Sequence, residues 1–263
     1  MSIVIEMTGG GRKAGKVCDA NYRSGPNCPL MVRTTSEDVM TGNVFGILRN
    51  LRPSLWLRPL MMAAFGSSFR RRSMTGAQTS FWRSFAPPEL VKAREGRTEV
   101  DVVFEFEGHI VLMEAKYRAG LSTRTAHDAN RDQVLRLLDL AYGLGRRSLF
   151  VRQPFVVVMG LSEMEPPMVA RYRDENTLRT SLRHYERQPD WGEMCCMLSR
   201  SVSYVPWSRY ADSLADEVVR ARKMERAFLR DVFQYVRWKI GAGTLARRGN
   251  MFIGGSTAPE ELL

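Results

Sequence analysis

Acidic residues are missing from a long stretch near the front of the chain. Between Asp38 and Glu89 there is no Asp or Glu, while Arg49, Arg52, Arg58, Arg70, Arg71, Arg72 and Arg83 all fall there. Such an interval repels cations and attracts polyanions. Histidine is scarce, with His109, His127 and His184 the three in the chain. None sits in an HExxH or a compact Cys/His cluster, which speaks against a zinc enzyme. The four cysteines, Cys18, Cys28, Cys195 and Cys196, make no CxxC pairs, and no secretory leader is read before them. Reduced thiols and a cytoplasmic location are therefore expected. Long apolar runs are lacking too: LWLRPLMMAAF at 55–65 contains an arginine and a proline. It falls well short of the roughly 20 residues that cross a bilayer, so no membrane association is expected. There is no GxSxG elbow, and GGGRKAGK lacks the GxxxxGK[ST] spacing of a phosphate-binding loop.

What is present describes a globular chain. Its 263 residues are 44% hydrophobic and 25% charged, with a formal net charge of +11. That length supports one large core rather than several small ones. The first 33 residues read as an extension with a basic, glycine-rich turn, residues 34–240 as the folded domain, and 241–263 as a tail. No internal repeat is visible.

Periodicity places the main elements. Met40, Val44, Ile47, Leu48 and Leu51 recur at helical spacing after Thr34 and Glu37. Glu37 either completes a capping box with Thr34 or lends a carboxylate to a site on the same face. GSSFRRRSMTGAQTS reads as a mobile basic loop whose Arg70, Arg71 and Arg72 suit a phosphate backbone. The aromatics around it (Trp56, Phe65, Phe69, Phe81 and Trp82) are read mainly as core anchors. A helix over DANRDQVLRLLDLAYGL, a buried strand PFVVVMG, a helix at 175–187, an edge strand SVSYVPW and one long helix across 208–240 follow. Hairpin, crossover helix and β-branched strand together imply an α/β sheet.

The chemistry concentrates in EVDVVFEFEGHIVLMEAK at 99–116. Val100, Val102, Phe104 and Phe106 alternate with Glu99, Asp101, Val103 and Glu105, while Ile110, Leu112, Glu114 and Lys116 share one face. A two-residue Glu107-Gly108 turn sets Phe106 opposite His109. The same step puts Asp101 opposite Glu114 and Glu99 opposite Lys116. Opposed carboxylates with Cβ atoms about 5 Å apart repel unless a cation lies between them. Mg²⁺, or alternatively Mn²⁺, suits such oxygen donors and would activate a water for attack on a phosphodiester. Lys116 would orient that water or stabilise developing charge. The competing reading is a solvated edge hairpin in which arginines answer the carboxylates and Lys116 pairs with Glu99.

The run VDVVFEFEGHIVLMEAK resembles the PD-(D/E)xK nuclease superfamily, with Asp101 as its first-strand carboxylate and Glu114-Ala115-Lys116 as its ExK. Val100 stands where the family's nominal proline would be. The resemblance implies a restriction-endonuclease-like α/β/α core with a mixed central sheet, elaborated here by C-terminal helices. It also implies that Glu37 supplies the helix carboxylate, joining Asp101 and Glu114 at the metal, and that Gln133 supports the catalytic face. Leu137 replaces the tyrosine of the QxxxY variant. The implied activity is a metal-dependent deoxyribonuclease, an endonuclease by preference, acting on DNA, as a homodimer or in a larger nucleoprotein complex, with defence against foreign DNA as one setting. A nuclease-like DNA-binding subunit without its own cleavage, or an RNA-processing nuclease, are the alternatives.

Overall fold

The protein is described from a computed structural model covering residues 37–91, 96–117, 120–124, 131–147 and 153–247. The N-terminal extension, Thr34, His127, Cys18, Cys28 and the last residues of the tail lie outside these.

Five strands form one mixed sheet in sequential order: β1 (Gln78–Phe85), β2 (Thr98–Phe106), β3 (His109–Ala115), β4 (Gln153–Gly160) and β5 (Val202–Pro206). The first three are antiparallel neighbours and the last three run parallel. A parallel pair needs a crossover, and helix α3 (Gln133–Arg147) supplies it between β3 and β4. On one face lie α1 (Glu37–Leu48), α2 (Leu57–Phe65), α7 (Trp207–Val218) and α8 (Lys223–Arg247), packed over Val102, Phe104, Val111, Met113 and Val157. The other face carries α3, a short α4 (Pro167–Ala170), α5 (Glu175–Ser181) and α6 (Trp191–Ser199), over Ile110, Leu112, Val156 and Val158. The result is α/β with helices on both sides of a mixed sheet. β3 and β4 are buried on both faces, which is why their centres, residues 110–113 and 155–159, read as continuous apolar runs.

Most elements fall where periodicity puts them, with four departures. The interval read as a mobile loop is anchored: Gly66–Phe69 forms a 3₁₀ turn, Phe69 and Met74 are buried, and Gln78 already belongs to β1. Residues 175–187 divide into α5 and a 3₁₀ turn at Arg183–Tyr185. The single helix expected over 208–240 is two, breaking between Val218 and Lys223, and α8 continues through Gly241 and Gly243 to Arg247. In β2, Val100 packs with the α3 cluster whereas Val102, Phe104 and Phe106 pack with the α1 cluster. Strict alternation would have kept all four together, so the strand changes face at Asp101.

Local chemistry explains the crossover helix. Asp132 precedes its first residue and accepts the Leu135 amide at 2.8 Å, an N-terminal cap. Asp132 is buried, and its other oxygen accepts from Arg171 and from the Tyr172 hydroxyl. Two turns along, Asp139 is 1% exposed and is bonded by Arg131 and by His184 Nε2 at 2.9 Å. Buried carboxylates survive only with such partners. His184 thus bonds a carboxylate 45 residues away in the chain. Cys195 is buried, and burial pushes its thiol up to about 11, the pKa of an inert packing cysteine.

The hairpin turn is the one anticipated. Phe106 pairs with His109, and the register holds in step through Val102 and Met113. Glu107 and Gly108 both have positive φ, +27° and +73°, as a two-residue turn with right-handed strand twist requires. Gly108→Val is expected to lower unfolding free energy by about 1–2 kcal/mol, the left-handed penalty of a side chain with Cβ. Glu107→Asn should raise it by roughly 0.5 kcal/mol, since Asn tolerates that conformation better. Urea denaturation of the two variants measures both; equal stabilities would contradict the turn.

Candidate functional site

Glu114 is the seed of the site. It lies one residue from the end of β3, in the centre of the sheet, and is 3% exposed. A carboxylate so placed needs donors. Lys116 Nζ stands 2.8 Å from Glu114 Oε1, and Gln133 Nε2 donates to the same oxygen at 2.5 Å. Gln133 is the first residue of α3, and its own carbonyl oxygen accepts the Ser122 amide at 3.3 Å. The crossover loop and helix therefore hold the amide on Glu114.

Glu37 arrives from the other face. It opens α1, whose buried Met40, Val44, Phe45 and Leu48 fix the helix on the sheet. Its Oε1 accepts the Tyr117 amide at 3.1 Å, and its Oε2 lies 3.5 Å from Lys116 Nζ. Glu37 therefore reaches the ExK strand end rather than solvent.

Asp101 closes the arrangement along the sheet edge. The β2–β3 ladder stops at Val102 and Met113, and at the next step Asp101 Oδ2 accepts the Ala115 amide at 2.9 Å. The direct opposition of Asp101 and Glu114, and of Glu99 and Lys116, was expected from the register, but backbone pairing ends before either. The face change in β2 provides the reason. Trp82, which falls between Phe81 and Arg83 in the β1–β2 register and so faces Asp101, has φ +48°. A bulky residue in that region marks local strain, and such strain collects at sites that need a side chain aimed irregularly.

The electrostatics follow from this geometry. Burial, the largest single influence on Lys116, would lower its pKa. The charges of Glu114, Glu37 and Asp101, with the Glu114 hydrogen bond, outweigh it and hold the ammonium above the ordinary lysine value of 10.5. Lys116 is thus a cation in the neutral range, fit to steady a negative charge and not to remove a proton. All three carboxylates of the expected set act on one ammonium. Among the described residues, no group of three or more His, Cys, Asp and Glu side chains is gathered to hold a metal. The donor chemistry still suits Mg²⁺ or Mn²⁺, which keep their waters and need only one or two carboxylates.

Beside Glu114 lies a cleft of about 100 Å³ bordered by Gln133, Ser122, Arg124 and Arg136. Sequence reading passed over both arginines and over Tyr117, and the Trp207 indole donates to the Lys116 carbonyl at 3.0 Å. Tyr117 adjoins the ExK run and could have been flagged by position; the others are brought in only by tertiary folding. Arg70, Arg71 and Arg72 are exposed but stand elsewhere. Arg72 packs over the Phe69 ring and bonds His109 Nε2, at the turn end of the hairpin. Five residues separate His109 from Glu114, about 16 Å along a strand. Burial first, then the Arg72 charge, press the His109 pKa below its usual value, leaving a neutral ring whose Nδ1–H donates to the Glu107 carbonyl.

Lys116→Met should cost about 3 kcal/mol at neutral pH in EDTA, because it strands a buried carboxylate. Glu114→Leu combined with Lys116→Met should recover most of that loss, giving a large coupling in a double-mutant cycle. The sign with pH is fixed by the raised pKa: the stabilisation is full below 10.5 and disappears as pH climbs through the higher folded value. Chemical denaturation from pH 7 to 11.5 checks this, and a wild-type advantage that grew with alkalinity would contradict it.

Comparisons with protein-family models, with curated proteins and with solved structures find no match to this chain.

Proposed function

We propose that the protein is a divalent-metal-dependent nuclease that hydrolyses phosphodiester bonds of DNA. The observation that carries the reading is the set of contacts around Lys116. At the end of the central strand Lys116 contacts the strand carboxylate Glu114 and the helix carboxylate Glu37, the Asp101 charge acts on the same ammonium, and Gln133 of the crossover helix donates to Glu114. The resemblance of Asp101 and the Glu114-Ala115-Lys116 run to the PD-(D/E)xK superfamily assigns the same residues the same work. An ordinary core has no reason to bury Glu114 and then surround it so. Hydrophobic residues of similar volume would hold the sheet as well or better.

In this reading Asp101 and Glu114 would hold Mg²⁺ or Mn²⁺, with Glu37 adjoining. The bound ion would polarise a phosphate oxygen and lower the pKa of a water. The remaining work belongs to the chain. Gln133 fixes the Glu114 rotamer, so that one carboxylate oxygen is already committed and the other direction is set. Lys116, protonated in the neutral range, neutralises charge as it builds on the phosphoryl oxygens. Glu37 restrains that ammonium from the α1 side. Arg124 and Arg136 flank the cleft beside Glu114, where an incoming phosphate meets two cations.

Purified protein incubated with linear duplex, circular duplex and single-stranded DNA is expected to cleave with Mg²⁺ or Mn²⁺ and to stop in EDTA. Asp101→Asn, Glu114→Gln and Lys116→Met should each lower the rate by about 10²-fold or more, and Gln133→Ala by about tenfold. Folded wild type that cleaves none of these substrates, nor RNA, under any of the metals would remove the proposal. Faster turnover of matched RNA would shift the substrate class. DNA binding unaltered by Asp101→Ala and Glu114→Ala, without cleavage, would mark a binding subunit.

A further inference from the structure

Far from Glu114, the structure holds a second and larger concavity. It has a volume of about 870 Å³ and lies between α2, the 3₁₀ turn Pro53–Leu55 and the C-terminal half of α7. Trp207, at the start of α7, touches the Lys116 carbonyl, whereas the cavity wall begins at Ser213 and ends at Arg220. At 1.5 Å per helical residue the cavity stands about 10–20 Å further along. It is a separate place in the molecule, and the inference does not depend on the cleavage reading.

Four arginines border it, but they are not equivalent. Arg52 is bound by both oxygens of Glu225 at 2.7 Å, and Arg220 by Glu217 at 2.8 Å. Arg58 and Arg70 have no carboxylate partner among the described residues. The Arg58 Nε is buried and makes no hydrogen bond, and one terminal nitrogen reaches only the Arg72 carbonyl at 3.4 Å. A guanidinium on a cavity wall whose donors are not taken by a carboxylate is open to an acceptor placed there. Guanidinium forks match phosphate oxygens. The rest of the wall is of another kind: Leu55, Pro59, Met62 and Val219 give an apolar floor, and Val219 is 80% exposed there. Asp216 and Ser213 add acceptors suited to hydroxyl groups.

We propose that this cavity binds a nucleoside monophosphate or a close relative, its phosphate on Arg58 and Arg70, its base on the apolar floor and its sugar hydroxyls toward Asp216. The volume lies within the range of pockets for such ligands. A long nucleic acid fits less well. Two of the four cations are already neutralised, Asp216 stands in the wall, and an apolar floor gives a phosphate backbone nothing.

Titration calorimetry of the full chain with AMP, adenosine, inorganic phosphate and a single-stranded 20-mer tests the assignment. AMP is expected to bind, adenosine and phosphate at least tenfold more weakly. Arg58→Gln and the exposed Arg70→Gln should each weaken AMP at least tenfold, while Arg187→Gln, an exposed arginine elsewhere, should not. Circular dichroism confirms folding, and Arg70→Gln decides the matter should Arg58→Gln misfold. Four results would overturn the proposal: no AMP binding at millimolar ligand, AMP binding untouched by Arg70→Gln, phosphate alone binding as tightly as AMP, or the 20-mer binding more tightly than AMP through the same two arginines.

Discussion

A carboxylate buried at the end of the central strand sets the terms for everything around it. Glu114 lies between an antiparallel neighbour, β2, and a parallel one, β4, where the sheet changes direction. Left unpaired, that charge would cost several kcal/mol. The compensation comes from three separate pieces of chain: Lys116 two residues on, Gln133 across the crossover, and Glu37 balancing the lysine from the opposite layer. The contacts also constrain elements. Gln133 fixes the start of α3, which Asp132 caps from one residue before, and Glu37 fixes the start of α1 against Tyr117. Thus one buried charge ties both helical layers to the same strand end.

What could be read in the sequence was what depends on neighbours in the chain. The hairpin register followed from one dipeptide, because Glu107-Gly108 admits the positive φ a two-residue turn needs, and the strands then have no freedom. The convergence of Glu114 and Lys116 on one face, and the helix bringing in Glu37, came from period 2 and period 3.6 in the same way. β1 escaped notice because its residues are half-exposed and do not alternate, so QTSFWRSF lacks the stripe that declares a strand. Its edge position explains this, since only one side of it pairs. The break at 219–222 was hidden for the opposite reason. The apolar spacing runs through from Leu214 to Val236, although Val219 faces solvent while Ala221 packs into the core.

The site's finer geometry depends on tertiary strain that no local pattern encodes. Val100 and Val102 were expected side by side and lie on opposite faces, with Trp82 in a left-handed conformation across from the residue between them. Alternation fails at Asp101, the one position where a strand carboxylate must leave the ordinary pleat to reach the Ala115 amide. A consistent sequence breaks its own rule where something other than stability is being served. The arginines at 70–72 show the limit of reading charge alone. Composition identified them as cations suited to phosphate, but the turn of the hairpin separates Arg72 from Glu114 by most of a strand's length.

The C-terminal helix completes the logic of the site rather than merely decorating the fold. α8 crosses α1 and is bonded to that part of the chain at two points: Glu225 to Arg52 just beyond the end of α1, and the Tyr235 hydroxyl to Asn43 in its middle. Further along, the Lys239 carbonyl accepts the Tyr117 hydroxyl at 2.7 Å, while its ammonium sits 4.3 Å from the centre of the same ring. Burial presses that lysine down to about 8, so an ion costly to bury is retained where the aromatic faces of Tyr117, Tyr235 and Trp238 can offset part of the penalty. Tyr117 is the residue whose amide holds Glu37. Movement of α8 would therefore shift Tyr117 and α1 together, and with them the helix carboxylate that restrains Lys116. The long helix acts as a clamp on Glu37, a part of the site that the sheet itself does not fix.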